Sequence, residues 1–427
     1  MSAQNSLPPS IKTEIPGPGS QRLSKRLSKV ETHDVTCLNP PPIFWQKSSG
    51  ANIWDVDGNR FIDLSAAFGV ANVGHSHPDV VAAAERESRE LLHGMGDVYP
   101  SESKVALLEK LTSHFPQGEK SRPPLSSSGS DAVETAIKTS ILKTGRSSIL
   151  AFEGAYHGLS LGTLPVTHNV KFRKPFESRL PRSTHFARFD DINHVEATMA
   201  AMNEKPAAIL VEPVQGRGGE NVPQPGFLPF LRDLCDKHEV LLIADEIYTG
   251  FGRTGTFFAC NREEIVPDLL CLGKGMSSGM PISACIGRES VMNSWPKSKG
   301  EALHTQTFLG HPPGCSAALA SIEIIERMNL SLRAKELGDK ALNFLCERLT
   351  ENSKVSEVRG LGLMIGIECT NSSTAQATVQ ECLRRGIILL PSGEKGTVLS
   401  ITPPLNISSE ILSFALTTIV ESLEDQQ

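Results

Sequence analysis

The chain has 427 residues, of which 39% are hydrophobic and 21% charged, with a formal net charge of −6. That length exceeds one small core and suits one large domain with a smaller companion. The acidic balance favours neither nucleic acid nor an anionic membrane as partner, and no apolar run is long enough to span a bilayer.

Residues 1–18 are rich in Pro, Ser and Gly without apolar periodicity, and disorder is expected across 1–29. The segment lacks the apolar core of a secretory signal, and Glu14 with its neighbouring prolines disfavours a mitochondrial leader, so the expected location is cytoplasmic. The nine cysteines, an odd count with no CxxC pair, read as reduced thiols, and no metal site is expected. Residues 51–63 read as a hairpin turning at Asp57-Gly58.

Between Pro78 and Pro267, short apolar runs alternate with helical patterns. Residues 148–152, 207–211, 240–244 and 269–272 fit strands buried on both faces of a mainly parallel sheet. Residues 131–144 and 227–237 carry apolar side chains at helical spacing between them. The alternation predicts an α/β fold with helices on both sheet faces. Helices are expected at 314–327 and 330–349, strands at 363–368 and 387–390, and a last helix at 408–423 with Ser408 as its N-cap. Residues 30–74 and 306–427 would then form a small α+β domain around a large domain at 75–305.

The strongest chemical signal is Asp268-Leu269-Leu270-Cys271-Leu272-Gly273-Lys274-Gly275. A strand delivers a lysine to its carboxyl end, where α/β sheets collect ligands, and flanking glycines would let a flat ring approach. Desolvation would free its amine for Schiff-base formation. Taken alone, Lys274 reads as a surface lysine in a glycine-rich turn. Asp245 changes that balance, because it ends the strand at 240–244 at the matching place. A carboxylate there suits a pyridinium nitrogen, and a protonated ring withdraws electrons from a substrate carbanion. Ser128, Gly129 and Ser130 precede a helix and fit a phosphate; an ordinary serine cap is the plainer reading. Tyr156 follows another strand end and could stack on a ring or simply pack in a loop. Gly250-Phe251-Gly252-Arg253-Thr254-Gly255 satisfies the dinucleotide pattern, yet it joins no strand directly to a helix. A tight loop held by Arg253 is the better reading, and a nicotinamide cofactor is rejected.

These residues resemble the class III, or ω-type, pyridoxal-phosphate-dependent aminotransferases of fold type I. The resemblance runs from about Val30 onward. It is carried by Trp54-Asp55-Val56-Asp57-Gly58, Gly74-His75-Ser76-His77-Pro78, Ser128-Gly129-Ser130-Asp131-Ala132, Tyr156-His157-Gly158, Glu212-Pro213-Val214-Gln215-Gly216, Asp245 through Gly255, Gly273-Lys274-Gly275 and Thr305-Gln306-Thr307-Phe308. It implies a seven-stranded type of sheet, pyridoxal 5′-phosphate on Lys274, and Asp245 at the pyridine nitrogen. It further implies Gln215 at the ring's phenolic oxygen, Tyr156 on the ring face, and Gly129 and Ser130 on the phosphate. Thr307 would reach the phosphate in a neighbouring subunit, making a homodimer with shared sites. Glu212 would be a switching carboxylate near the substrate, with Phe68 as a further pocket residue.

One departure bears on substrate. Ser400 stands where many members keep an arginine for an α-carboxylate, shortly before Pro403-Pro404-Leu405. Arg217 is a candidate substitute. His311 stands where Asn is usual, with a loop hydrogen bond as its expected role. The implied reaction moves an amino group from a primary amine or ω-amino compound to a keto acid or aldehyde. The alternatives are an aminomutase, epimerase, decarboxylase or lyase on the same scaffold, or a catalytically inactive binding protein.

Overall fold

The structure is a computed structural model describing residues 7–425. Its centre is an eight-stranded sheet, seven strands of which form one ladder. The order runs Ser121–Arg122, Ser283–Arg288, Leu269–Leu272, Leu241–Asp245, Ala208–Val211, Ile149–Phe152, Thr184–Ala187, with Leu125–Ser126 beside Ser283–Arg288. The five strands from Leu269–Leu272 to Thr184–Ala187 are parallel, and Ser283–Arg288 runs against them. Four of the five are the apolar runs legible in sequence, and all residues of those four are buried. Thr184–Ala187 and Ser283–Arg288 escaped notice because neither is a continuous run of large apolar residues. Helices such as Gly129–Thr144 and Phe227–His238 cover the sheet, so both of its faces are core.

The hairpin forms as Asn52–Asp55 and Arg60–Asp63, with Gly58 at φ +79° in the turn. Trp45–Ser49 pairs on one side and Ile387–Ile388 on the other, uniting distant parts of the chain in one sheet. The expected strand at 387–390 divides, because Leu390–Ser392 joins a different sheet with Val355–Leu361, Met364–Cys369 and Val398–Ile401. Pro312–Arg327, Leu330–Leu349 and Ser409–Glu424 are helical, and Ser408 Oγ accepts from Ile411 N at 3.3 Å as the N-cap.

The expected disorder of residues 1–29 requires correction. Residues 1–6 lie outside the described residues, but from Leu7 onward the segment is packed. Leu7 N donates to Asn52 Oδ1 at 2.6 Å, Lys12 N to Asn59 Oδ1 at 2.7 Å, and Ser20 N to Asp57 Oδ2 at 2.9 Å. Pro18–Leu27 is a helix. Composition missed this because the partners are polar side chains of the hairpin, some forty positions away in sequence. Among the described residues no helix is long and apolar enough to cross a membrane.

Candidate active site

A cavity of about 460 Å³ opens at the carboxyl ends of the central strands. Lys274 enters it one residue beyond Leu269–Leu272, after Gly273, at a left-handed φ of +43° that costs a non-glycine residue backbone energy. Its Nζ lies 3.9 Å from the centre of the Tyr248 ring. Burial lowers its pKa to about 8, against the pull of the Asp245 and Glu212 carboxylates; Arg217 and Arg253 add to the lowering. The glycines flanking it differ in role. A Cβ on Gly275 would come within 2.4 Å of the Asn72 amide, whereas one on Gly273 would meet only ordinary contacts. Gly275 is therefore required by Asn72, whereas no protein atom crowds Gly273.

Asp245 ends its strand in the cavity wall and is 4% exposed. Its Oδ1 accepts from Ile247 N at 3.1 Å, and its Oδ2 lies 2.7 Å from His157 Nδ1. His157 is buried, and among the described residues its Nε2 has no hydrogen-bond partner. Sequence reading noted His157 within a motif but gave it no role; its contact with Asp245 spans 88 positions. Glu212 is also buried in the wall, accepting from Tyr156 N at 2.9 Å and Gly216 N at 3.1 Å. Desolvation raises its pKa, Asp245 adds to this, and His157 opposes it.

At one end of the cavity stand Gly129 and Ser130, the first residues of the helix Gly129–Thr144. That helix starts two residues earlier than expected, and Ser128 is its cap, accepting from Asp131 N at 3.3 Å. The free N–H groups of a helix start favour an anion there. Tyr156 lines the cavity with the Arg217 guanidinium 4.9 Å from its ring centre. Arg217 is exposed, and among the described residues it forms no ion pair. Phe68 stands at the mouth, 63% exposed, in a left-handed turn at Ala66–Gly69. Ser400 lies in the wall, where its hydroxyl donates to Glu220 at 2.6 Å.

Three expected cofactor contacts fall outside the cavity lining. Ser128 acts through the cap just described. The Gln215 amide donates to Glu153 O at 2.7 Å and accepts from Asn221 at 2.9 Å, so it faces a neighbouring loop. Thr307 is exposed beside the helix start, where Gln306 bonds to Ser127 and Asp131. Tyr248, Glu220 and Ser392 join the wall without having been singled out from sequence.

The dinucleotide-like glycines form a loop rather than a strand-to-helix turn. Arg253 is fully buried in it and donates to Leu363 O at 3.0 Å, Pro403 O at 2.5 Å and Asn72 Oδ1 at 2.7 Å. His311 caps Pro312–Arg327 through Gly314 N at 3.3 Å, the loop role expected of it. Among the described residues no group of three or more His, Cys, Asp or Glu side chains could hold a metal ion.

A largely desolvated amine, a buried carboxylate steadied by a histidine, and a helix start at one end suit a ring bearing an aldehyde, a basic nitrogen and a phosphate. The sheet order and this arrangement define a pyridoxal-phosphate enzyme of fold type I. The profile of the aminotransferase class-III family matches residues 35–423, and the chain belongs to that family, whose members transfer amino groups with pyridoxal phosphate. It is 35% identical to a 4-aminobutyrate aminotransferase of Mycobacterium leprae, over 97% of each chain. It is 37% identical to an acetylornithine aminotransferase of Methanopyrus kandleri, over 92% of this chain and 97% of that one. Among solved structures, an ornithine aminotransferase of Toxoplasma gondii superposes with a TM-score of 0.87 at 28% identity, covering 97% of this chain and 96% of the other.

Proposed function

We propose that Lys274 carries the cofactor of this aminotransferase and moves the proton during amino transfer, from a primary or ω-amino donor to a keto acid. The observation that carries this reading is the Lys274 amine itself, pushed down to about pKa 8 in a cavity that also holds Asp245. Pyridoxal phosphate, when bound, supplies an aldehyde that condenses with amines and a ring that withdraws electrons from the substrate carbon. Lys274 Nζ, partly neutral near neutral pH, takes a proton from that carbon and returns it. Asp245, fixed by His157 and Ile247 N, would face the ring nitrogen of the bound cofactor and favour its protonated form. The helix start at Gly129 and Ser130 binds the phosphate, with Ser128 bracing that helix as its cap. Tyr156 forms a cavity wall, and Glu212 anchors the loops that carry Tyr156 and Gly216.

The further readings are proposals of the same kind. A homodimer with Thr307 reaching a neighbouring site is supported by the exposed Leu92, Met95, Tyr99 and Phe308 around that segment. A cytoplasmic location is supported by nine unpaired cysteines, seven of them buried. A small domain of residues 30–74 and 306–427 around 75–305 is supported by the pairing of Ile387–Ile388 with Arg60–Asp63.

Purified protein loaded with cofactor and mixed with candidate amines tests the reaction. The bound cofactor's absorbance should change once without a keto acid and cycle when one is added. Lys274→Ala should lose turnover and the band sensitive to borohydride; turnover at the wild-type rate would defeat the assignment.

A further inference from the structure

Glu220 takes part in none of the steps above, yet it lines the same cavity and is 1% exposed. Ser392 Oγ donates to its Oε2 at 2.6 Å, and Ser400 Oγ to its Oε1 at 2.6 Å. Its backbone sits at φ +52°, a conformation that costs a non-glycine residue energy. Arg359 acts on it electrostatically but spends its own donors on Gly219 O, Glu357 and Glu368. Among the described residues no cation forms an ion pair with Glu220. Burial pushes its pKa up to about 7, against the two serine hydroxyls and Arg359. Charging this group is therefore costly, and an arriving cation would offset the cost.

The hydroxyls of Ser392 and Ser400 point their hydrogens at Glu220, which leaves lone pairs toward the rest of the cavity. Glu220 and the two serine oxygens are thus acceptors at this end of the site, with the Tyr248 hydroxyl beside Ser400 able to donate or accept. A substrate carboxylate would meet a carboxylate and lone pairs, whereas an ammonium would meet partners for its three donors. Arg217, the guanidinium that could favour a carboxylate, is exposed at the mouth against Tyr156 and Phe172.

We propose that Glu220, held by Ser392 and Ser400, binds a second ammonium at the far end of the amine donor. The preferred donors are then aliphatic α,ω-diamines rather than ω-amino carboxylates. This rests on the reading of the cavity as the aminotransferase site.

The test compares α,ω-diaminopentane, pentylamine and ω-aminopentanoate as donors to the cofactor-loaded enzyme, following the cofactor's absorbance. Wild-type enzyme should use the diamine with a kcat/KM roughly 10-fold or more above either rival. Glu220→Gln should reduce the ratio of diamine to pentylamine by about 10- to 100-fold, mainly through KM. Ser392→Ala and Ser400→Ala should shift that ratio in the same direction, which covers the case of a Gln variant that fails to fold. Equal use of diamine and pentylamine by the wild type, preference for aminopentanoate, or an unchanged ratio in folded Glu220→Gln would each overturn the Glu220 assignment alone. If none of the three amines altered the absorbance, the assignment of the cavity would fall as well.

Discussion

At the scale of single residues, Lys274 links stability to function. Its folded pKa of about 8 lies below the ordinary lysine value of 10.5, so between these values the unfolded chain binds more protons and stability rises with pH. Below pH 8 both forms are protonated and the full cost of burying the charge is present. Cofactor-free Lys274→Met should therefore be more stable than cofactor-free wild type at pH 7, by at most about 3 kcal/mol, with water in the cavity reducing that figure. The gap should narrow as pH rises toward 10.5, and denaturant titrations at several pH values would show it. His157 acts through Asp245 rather than on the reacting atoms. His157→Phe removes the partner 2.7 Å from Oδ2 and should lower kcat by about 10- to 100-fold, while borohydride still fixes the cofactor on Lys274. An unchanged kcat would show that Ile247 N alone can hold the carboxylate.

At the scale of elements, the site depends on strand ends and on the loops that pin Tyr248. One edge of that ring abuts Gly69, where a Cβ would fall 2.1 Å from Cε2; the other abuts Gly216, where a Cβ would fall 2.1 Å from Cδ1. The Tyr248 hydroxyl lies 3.0 Å from Thr402 Oγ1, and its ring face is left to Lys274. Gly216→Ala should displace the ring and destabilise the fold by about 1–3 kcal/mol, with a lower melting temperature and a reduced kcat. A variant that melts like wild type would mean that Tyr248 can move freely. The turn at Ala66–Gly69 is read only in three dimensions. Asp63 accepts from Ser65 N at 2.7 Å and Ala67 N at 3.0 Å, and these bonds offset the cost of successive left-handed residues.

At the scale of the whole molecule, the homodimer proposal makes a quantitative claim. If Thr307 serves a neighbouring subunit, Lys274→Ala and Thr307→Asp proteins should each be nearly inactive. Mixed in equal amounts and allowed to exchange, half of the dimers become hybrids with one intact site, restoring about a quarter of wild-type activity. No recovery after verified subunit exchange would place Thr307 in its own subunit's chemistry or in none. Sedimentation should give about twice the chain mass of 46.1 kDa.

What the sequence determined by itself was local or periodic. Buried strands such as Leu269–Leu272 and Leu241–Asp245 announce themselves as apolar runs; one ends in Asp245 and the other leads through Gly273 to Lys274, so the two residues were legible together. The tertiary structure decided what depends on distant partners. Glu220 meets Ser392 and Ser400 across more than 170 positions, His157 meets Asp245 across 88, and residues 7–27 fold on polar groups of the hairpin. Gln215 turned from the cavity for the same reason: Glu153 O and Asn221 compete for its amide. Hydrogen bonds between remote side chains leave no period in a sequence, because the chain pairs them only after the sheet has closed.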